Sequence, residues 1–382
     1  MKKVAYYIGG LNRGGTEVLI LDVCRQAERM PFDLVIVYRS EGNLSDAFRS
    51  TNVPMYKIAR KRSAIGYLWA MRKWVLKEHI DILHAQTSLN TILACIFTLF
   101  TSAKVVKTNH GFDFADTNLF YRWLVCSRCS RILNVSDYVK QYYLRKWHIK
   151  KTDKWGVVYN GIDFGKIESA VKSEELRVNS KIKLAMVGNF VNVRSQIVIA
   201  RAIARLDAMR LEPKALDAAH LAIPEFDFYF IGTRVEQEAA LYDDCVKYCE
   251  EHQLSNVHFL GSRGDVPSIL KSIDGFVYSS ARDTFGIAVL EAIVAGLPIV
   301  VNDWPVIQEV CNLGLNDNNR AIRFFETENV EDCARKISEL LKDIKNNHSA
   351  LEADCQLAAE AAKEKYSIQN HINNLNLVYQ TL

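Results

Sequence analysis

FVYSSARDTFGIAVLEAIVAGLPIVV, residues 276–301, is the stretch from which the rest of the chain is read. Phe276–Tyr278 is a short apolar run with the character of a buried strand, and Ser279–Arg282 is the turn that leaves it. Asp283 and Thr284 stand where a helix N-cap belongs, ahead of Ile287, Leu290 and Val294 at helical spacing. Gly296 and Pro298 end that helix, and Ile299–Val301 begins another buried strand. Strand, helix, strand is the building block of a parallel sheet.

Two carboxylates mark this unit. Asp283 lies at the mouth of the expected helix and Glu291 about two turns further on, so both point to roughly one side. Phe285, Gly286 and Ile287 fall in the first turn, where main-chain N–H groups lack partners and the helix end attracts phosphate. Gly286 lets a ligand come close to the backbone there. A phosphate at the helix start with an acid on each side suits a nucleotide-linked sugar, with diphosphate on the amides and hydroxyls on the carboxylates. Taken singly, Asp283 also reads as a plain N-cap and Glu291 as a solvated or paired surface acid.

The spacing of Phe285-Gly286, Glu291-Ala292 and Gly296-Leu297-Pro298, followed by a valine-rich strand, resembles the signature of the retaining glycosyltransferases of the GT-B fold, the family-4 group. That family carries Glu where this chain has Asp283. The resemblance implies that Glu291 hydrogen-bonds the ribose, and that Asp283, Thr284 and the following amides hold the donor sugar and diphosphate. The shorter Asp arm bears on which sugar hydroxyl is met.

Length and composition fit this class. At 382 residues, two domains are the natural expectation. About half the residues are apolar and a quarter charged, as in ordinary globular chains. Met1-Lys2-Lys3 leads directly into Val4–Ile8, too short an apolar run for a signal peptide. The longest apolar run, Thr91–Thr101, is short of the roughly 20 residues a spanning helix needs. The nine cysteines are scattered, so no disulfide framework is expected and a cytoplasmic setting fits. Cys126 and Cys129 have the spacing of a zinc or redox pair but no second pair, and read as two thiols on one helical face.

Net charge is +4, unevenly spread. Residues 1–165 hold 25 Lys and Arg against 13 Asp and Glu, net +12; the remainder holds 23 against 31, net −8. A basic first half suggests an acidic surface or acceptor. Aromatic and basic residues interleave in Arg60–Lys77 and Tyr121–Lys151. Each fits a membrane-surface helix, and equally an amphipathic core helix with a basic solvent face.

In chain order, Val4–Ile8 reads as the first strand. The turn Gly9–Glu17 follows and leads to a helix from Val18 to Arg29; its paired glycines are not the dinucleotide G-x-G-x-x-G pattern. By resemblance, Gly14 and Gly15 belong to the loop that faces the donor diphosphate. Strands at Phe32–Tyr38, Ile80–Ala85 and Lys104–Thr108 follow, and the last delivers Asn109–Asp113 to the carboxyl end of a sheet, where ligands bind in open α/β folds. A lone His110 there reads as structural; its match to the family's loop histidine implies contact with the donor sugar. Arg131–Ser136, the helix Asp137–Trp147 and the strand Gly156–Tyr159 end the first domain at the turn Asn160–Asp163. Phe164–Ser180 is polar and reads as a linker.

The second domain opens with the strand Lys183–Val187. In the family two cations follow and neutralise the diphosphate; here Asn189 takes the first of those positions and Arg194 the second. Arginine suits bidentate phosphate contact. The strand Phe226–Ile231 comes next, then Val257–Leu260, and the resemblance puts the base beside Arg263. Helices Val330–Ile344, Ala350–Lys365 and Ile368–Leu382 close the chain.

The expectation is an α/β chain of the GT-B fold, two Rossmann-like parallel-sheet domains facing each other across a cleft. Residues 1–167, completed by the helix 368–382, form the acceptor side, and 168–367 the donor side. The implied activity is a metal-independent retaining glycosyltransferase. It would use a nucleoside-diphosphate sugar, UDP favoured, and no cofactor. Its acceptor would be a glycan or lipid-linked chain in bacterial cell-surface polysaccharide assembly, at the inner membrane face, with no nucleic-acid partner. A nucleotide-sugar epimerase of the same fold and a non-catalytic binding protein are the alternatives.

Overall fold

The computed structural model describes residues 1–58, 63–112, 117–177, 180–211 and 223–382. Arg60–Arg62 of the first basic-aromatic segment, Asp113, and part of the expected linker lie outside the described residues. The chain divides into two compact units: Met1–Asp163 with Tyr366–Leu382, and Phe164–Lys365.

The first unit is built on seven strands: β1 Lys3–Gly10, β2 Asp33–Ser40, β3 Met55–Lys57, β4 Ile82–Ala85, β5 Lys104–Asn109, β6 Cys129–Asn134 and β7 Trp155–Val157, in the order β3-β2-β1-β4-β5-β6-β7. Neighbours pair in parallel, with Val4 opposite both Leu34 and Ile82. Continuous apolar strands such as Val4–Ile8 are buried because helices cover both faces. Strand order runs one way from β1 and the other way from β4, and right-handed crossovers therefore put the helices on opposite faces. Helix Gly15–Cys24 lies on one face with the last helix, Ile368–Gln380, whose Ile372, Leu375 and Tyr379 enter the core with Val4, Tyr6 and Ile36. Helices Ala64–Lys77, Ser88–Phe97 and Leu119–Arg128 pack side by side on the other.

The second unit has six parallel strands: β8 Ile182–Val187, β9 Phe226–Ile231, β10 Val257–Gly261, β11 Gly275–Tyr278, β12 Ile299–Asn302 and β13 Ile322–Phe325, in the order β10-β9-β8-β11-β12-β13. Both sheets change direction of progression at one point, between β1 and β4 and between β8 and β11. Those are the switch points at which open α/β sheets bind ligands.

Several local expectations are corrected. The helix expected from Val18 to Arg29 is Gly15–Cys24, followed by a single 3-10 turn at Ala27–Arg29. The polar stretch after Phe164 contains helix Gly165–Glu168 and a 3-10 turn at Glu175–Arg177, anchored by buried Ile167 and Leu176. Cys126 and Cys129 do not share a helical face: Cys126 is on helix Leu119–Arg128, whereas Cys129 opens β6 and meets the thiol of Cys95. All nine cysteines are free.

Candidate active site

At the β8–β11 switch point, two loops are laced together by the main chain. Ser195 N donates to Ser279 O at 3.2 Å and Ala281 N to Val193 O at 3.0 Å, while Ser280 Oγ donates to Val193 O at 2.7 Å. This lacing fixes Arg194, from the loop after β8, beside Asp283, from the loop after β11. Their side chains approach to 3.6 Å and are bridged by a residue the sequence does not advertise. The fully buried phenol of Tyr278, at the end of β11, donates to Asp283 Oδ2 and accepts from Arg194 Nη1. Burial and the neighbouring Asp283 carboxylate push the Tyr278 phenol well up, so it stays protonated. The Arg194 guanidinium carbon sits 5.2 Å from the Tyr278 ring centroid, and its Nε is buried with no hydrogen-bond partner. A buried charged donor without a partner is costly, and its place beside a carboxylate and a phenol sets Arg194 apart.

The helix that was expected to begin near Thr284 begins at Ile287 and runs to Val294. Asp283 is the reason: its Oδ1 accepts from the amides of Thr284, Phe285 and Gly286 at 2.8, 3.4 and 3.3 Å, which closes a tight turn before the helix. Gly286, the N-cap, has a left-handed φ of 79°, and an added Cβ would lie 2.8 Å from Ile307 Cδ1. The protein's own carboxylate thus fills part of the expected phosphate mouth. The amides of Ile287 and Ala288, next in line, have no acceptor among the described residues. Glu291 is half-buried on this helix, whereas Asp283 precedes it, so the two acids do not share a helical face. Beyond the helix, Gly296 (φ 82°) closes it with Gly296 N on Ile293 O and Leu297 N on Ala292 O.

Two glycines let the β8 turn form. A Cβ on Gly232 would stand 2.0 Å from Gly188 O, and one on Gly188 would stand 2.8 Å from both Cδ and Nε of Arg194. Gly188→Ala is therefore expected to push Arg194 off Tyr278 and lower any turnover that depends on Arg194 about tenfold with little change in Tm, because a flexible side chain yields where backbone does not. Steady-state kinetics alongside a melting curve checks this; unchanged turnover would mean that the Arg194 position is not critical.

The remaining residues singled out in this unit are engaged elsewhere. Asn189, exposed, accepts from Thr233 N at 3.0 Å and so ties the β8 and β9 turns. Gln196 holds the same turn from beneath, donating to Gly188 O and Asn189 O, both at 3.1 Å. Arg263 grips Asp265 through two 2.8 Å bonds and Glu175 through one of 2.9 Å. Buried Asn302 joins the β11 and β12 loops, accepting from Ser280 N at 2.9 Å and donating to Ser280 O at 2.8 Å. A cavity of about 370 Å³ opens beside Arg194 and is lined by Ile197, Arg201, Leu241 and Tyr248. Of the residues picked out in the sequence, only Arg194 borders it.

In the first unit, Gly14 is the extended N-cap of helix Gly15–Cys24, and an added Cβ there would meet Glu17 Oε2 at 2.5 Å. Gly15 faces open space. His110 leaves β5 with Nε2 at 2.7 Å from Gln86 Oε1, so that nitrogen carries the proton and donates. Burial, then the His371 and Lys107 charges, push its pKa down to about 3. Held that low, it is neutral at physiological pH and offers a hydrogen bond. His84, Gln86, His110 and His371 line one small cavity of about 10 Å³. His84 bonds Tyr379 Oη at 2.6 Å and Thr108 Oγ1 at 2.7 Å, and His371 Nδ1 donates to Tyr159 O at 2.6 Å. Neither Tyr278 nor His371 could be picked from local pattern: one looks like strand filler and the other lies on a distant terminal helix.

Among the described residues no three His, Cys, Asp or Glu side chains are grouped to hold a metal, and no helix is long and apolar enough to cross a membrane. Residues 13–166 match Glycosyltransferase Family 4 and residues 181–343 match Glycosyl transferases group 1. The chain is similar to the UDP-Gal:alpha-D-GlcNAc-diphosphoundecaprenol alpha-1,3-galactosyltransferase of Escherichia coli, 27% identical over 71% of this chain and 72% of that protein. It is also similar to the O-antigen biosynthesis glycosyltransferase WclY of Escherichia coli, 22% identical over 81% of this chain and 82% of the relative. In fold it is similar to a glycosyltransferase from Rickettsia africae (TM-score 0.83, 15% identity, covering 100% of this chain and 98% of that one). The Anabaena Alr3699/HepE structure in complex with UDP gives a TM-score of 0.81 at 16% identity, with full coverage of both chains. Two parallel-sheet Rossmann-like units, matched in turn by the two families, identify the chain as a family-4-like member of the group 1 glycosyltransferases, with the GT-B fold.

Proposed function

We propose that the chain is a retaining glycosyltransferase that moves a sugar from a UDP-sugar to a lipid-linked glycan acceptor in cell-surface polysaccharide assembly. The observation that carries this is the Arg194–Tyr278–Asp283 cluster, with the orphaned Arg194 Nε and the unclaimed amides of Ile287 and Ala288 at one switch point. In this reading the diphosphate takes Arg194 and those two amides, which stabilise the charge that develops on the departing nucleotide without a metal ion. Glu291 takes the ribose and Asp283 a sugar hydroxyl. The donor's own phosphate assists the acceptor on the retained face. The choice of UDP and of a lipid-borne acceptor is supported by the UDP-Gal donor and diphosphoundecaprenol-linked acceptor of the Escherichia coli galactosyltransferase and by the UDP held by the Anabaena protein.

Thermal shift with UDP, GDP and ADP tests the donor class. UDP at about 100 times its Kd is expected to add about 2.7 kcal/mol of stability, several degrees in Tm, with GDP and ADP giving less. Product analysis with UDP-sugar, a diphosphoundecaprenol-linked sugar and EDTA is expected to show an axial linkage from an axial donor. An inverted linkage, a metal requirement, or a changed nucleotide-sugar from donor alone would each replace this reading, the last with an epimerase.

A further inference from the structure

Every exposed Trp and Phe among the described residues lies on three neighbouring helices of the first unit or the turn that follows the second of them: Trp69, Phe100, Phe120 and Trp123. On helix Ala64–Lys77 the inner face is complete, with Tyr67, Met71, Trp74 and Val75 buried, yet the outer face still carries Ile65 and Trp69, the latter 69% exposed. Helix Ser88–Phe97 adds exposed Leu89, and helix Leu119–Arg128 adds Leu119, Phe120 and Trp123, the last two 60% and 61% exposed. Each helix follows its strand in a parallel sheet, so the amino-terminal halves of all three lie at the sheet's carboxyl end, the end that carries His110. Those halves hold most of the apolar residues. A largely apolar groove of about 370 Å³, lined by Leu89, Ile92 and Phe120 among others, opens between the second and third helices.

The charge on these helices is one-signed. They contain no Asp or Glu, and carry Arg72, Lys73, Lys77, Arg122 and Arg128. Two copies of such a face would set like charges against each other, which disfavours self-association. Tryptophan and phenylalanine among arginine and lysine, with no acid, is the composition that seats at an anionic headgroup layer, rings at the acyl boundary and cations on phosphate. Among the described residues the second unit offers no counterpart: its exposed large apolar residues there, Val171, Met209, Leu241 and Leu357, are scattered aliphatics.

We propose that the outer face of helices Ala64–Lys77, Ser88–Phe97 and Leu119–Arg128 docks on an anionic lipid bilayer, with Trp69, Phe120 and Trp123 inserted and the groove between the last two helices taking a hydrocarbon chain. Docking needs neither donor nor turnover. It rests on the proposed function only for its purpose, which is to bring the carboxyl end of the first sheet to a lipid-borne acceptor.

Flotation with vesicles of phosphatidylcholine alone, or with about 30 mole per cent phosphatidylglycerol, tests this without any sugar nucleotide. Expected is at least about tenfold tighter partition to the anionic vesicles, weakening as salt rises. A Trp69→Ser, Phe120→Ser, Trp123→Ser variant is expected to lose about tenfold or more while keeping its Tm and its turnover on a water-soluble acceptor. Should that variant fold poorly, Lys73→Glu with Arg122→Glu is expected to abolish the preference for anionic vesicles. Equal partition to both vesicle types, binding that ignores both variants, or a concentration-dependent dimer lost in the triple variant with no vesicle binding would overturn the proposal. Turnover on a soluble acceptor is read separately, so a failed transferase and a failed docking face give different results.

Discussion

Arg194→Ala is expected to lower kcat/KM for the sugar donor by about 10²–10³-fold, roughly 3–4 kcal/mol of transition-state stabilisation. The size follows from the surroundings of the side chain. The guanidinium lies over a buried tyrosine ring, is mostly shielded from water, and has one donor, Nε, with no partner in the protein. A cation held in place for charge that appears only as the nucleotide leaves acts on kcat; one that binds the diphosphate equally throughout acts on KM. The substitution also strips Asp283 and Tyr278 of their cation, so Tyr278→Phe is a needed companion. It keeps Arg194 but breaks the bridge, and is expected to cost about tenfold, mostly in kcat, if the phenol acts by aiming the guanidinium. Arg194→Lys restores charge without the planar fork and is expected to recover only part of the loss. Wild-type kcat/KM in Arg194→Ala, with UDP binding intact, would remove the cluster from the chemistry and the proposed function with it.

The legible parts of the fold were those in which burial is continuous. Phe276–Tyr278 and Ile299–Val301 are apolar without a break because parallel strands are covered on both faces, and they stand as β11 and β12. The edge strand β3, Met55–Lys57, gave no signal: it is three residues long and half exposed. β13 was hidden by Arg323, a buried cation that its pattern cannot explain until Asp343 of helix Val330–Asn346 is seen beside it. The polar run after Phe164 concealed two anchoring side chains, Ile167 and Leu176, because composition averages over residues that the fold treats one by one. At the candidate site, sequence spacing placed Arg194 and Asp283 on the loops after two strands far apart in the chain, β8 and β11, and the switch-point topology puts them together. Side-chain hydrogen bonds have no period and leave no trace in the sequence. The Tyr278 bridge and the use of Asn189 and Arg263 as loop ties belong to that class; the N-cap position of Asp283 showed that it would take backbone amides, but not that three of them would stay outside the helix. The displaced helix start shows the cost of ignoring them, since a carboxylate that satisfies the backbone from outside removes the reason for those residues to enter the helix.

The first unit is expected to lose stability steeply as pH falls below about 6.5, the ordinary histidine value. Burial is the leading cause at all three histidines of its small cavity, holding His84 and His110 at about 3 and His371 at about 4. A histidine whose folded pKa is depressed binds fewer protons when folded than when unfolded. The unfolded state therefore gains from every proton added between about pH 6.5 and the folded value, and stability rises with pH across that window. Each such histidine costs about 1.4 kcal/mol per pH unit, or roughly 2 kcal/mol by pH 5, and three together approach the whole stability of a typical domain. Their mutual repulsion works in the same direction, since each proton taken up within the cavity opposes the next. His84 is the one most fully enclosed, clamped between Tyr379 of the last helix and Thr108 of β5, so its protonation loosens the terminal helix from the sheet. Calorimetry at pH 7.5, 6 and 5 is expected to show a transition that moves down by several degrees per unit below pH 6.5. In His84→Gln, which keeps a hydrogen-bonding side chain of similar length without titrating, the slope is expected to flatten by about a third, because one of three linked protons is gone. A melting temperature that stays level from pH 7.5 to 5, or a slope untouched by His84→Gln, would mean that these imidazoles charge freely in the folded chain. His110 could then serve as a proton donor after all, and its assignment as a neutral hydrogen-bonding group would have to be given up.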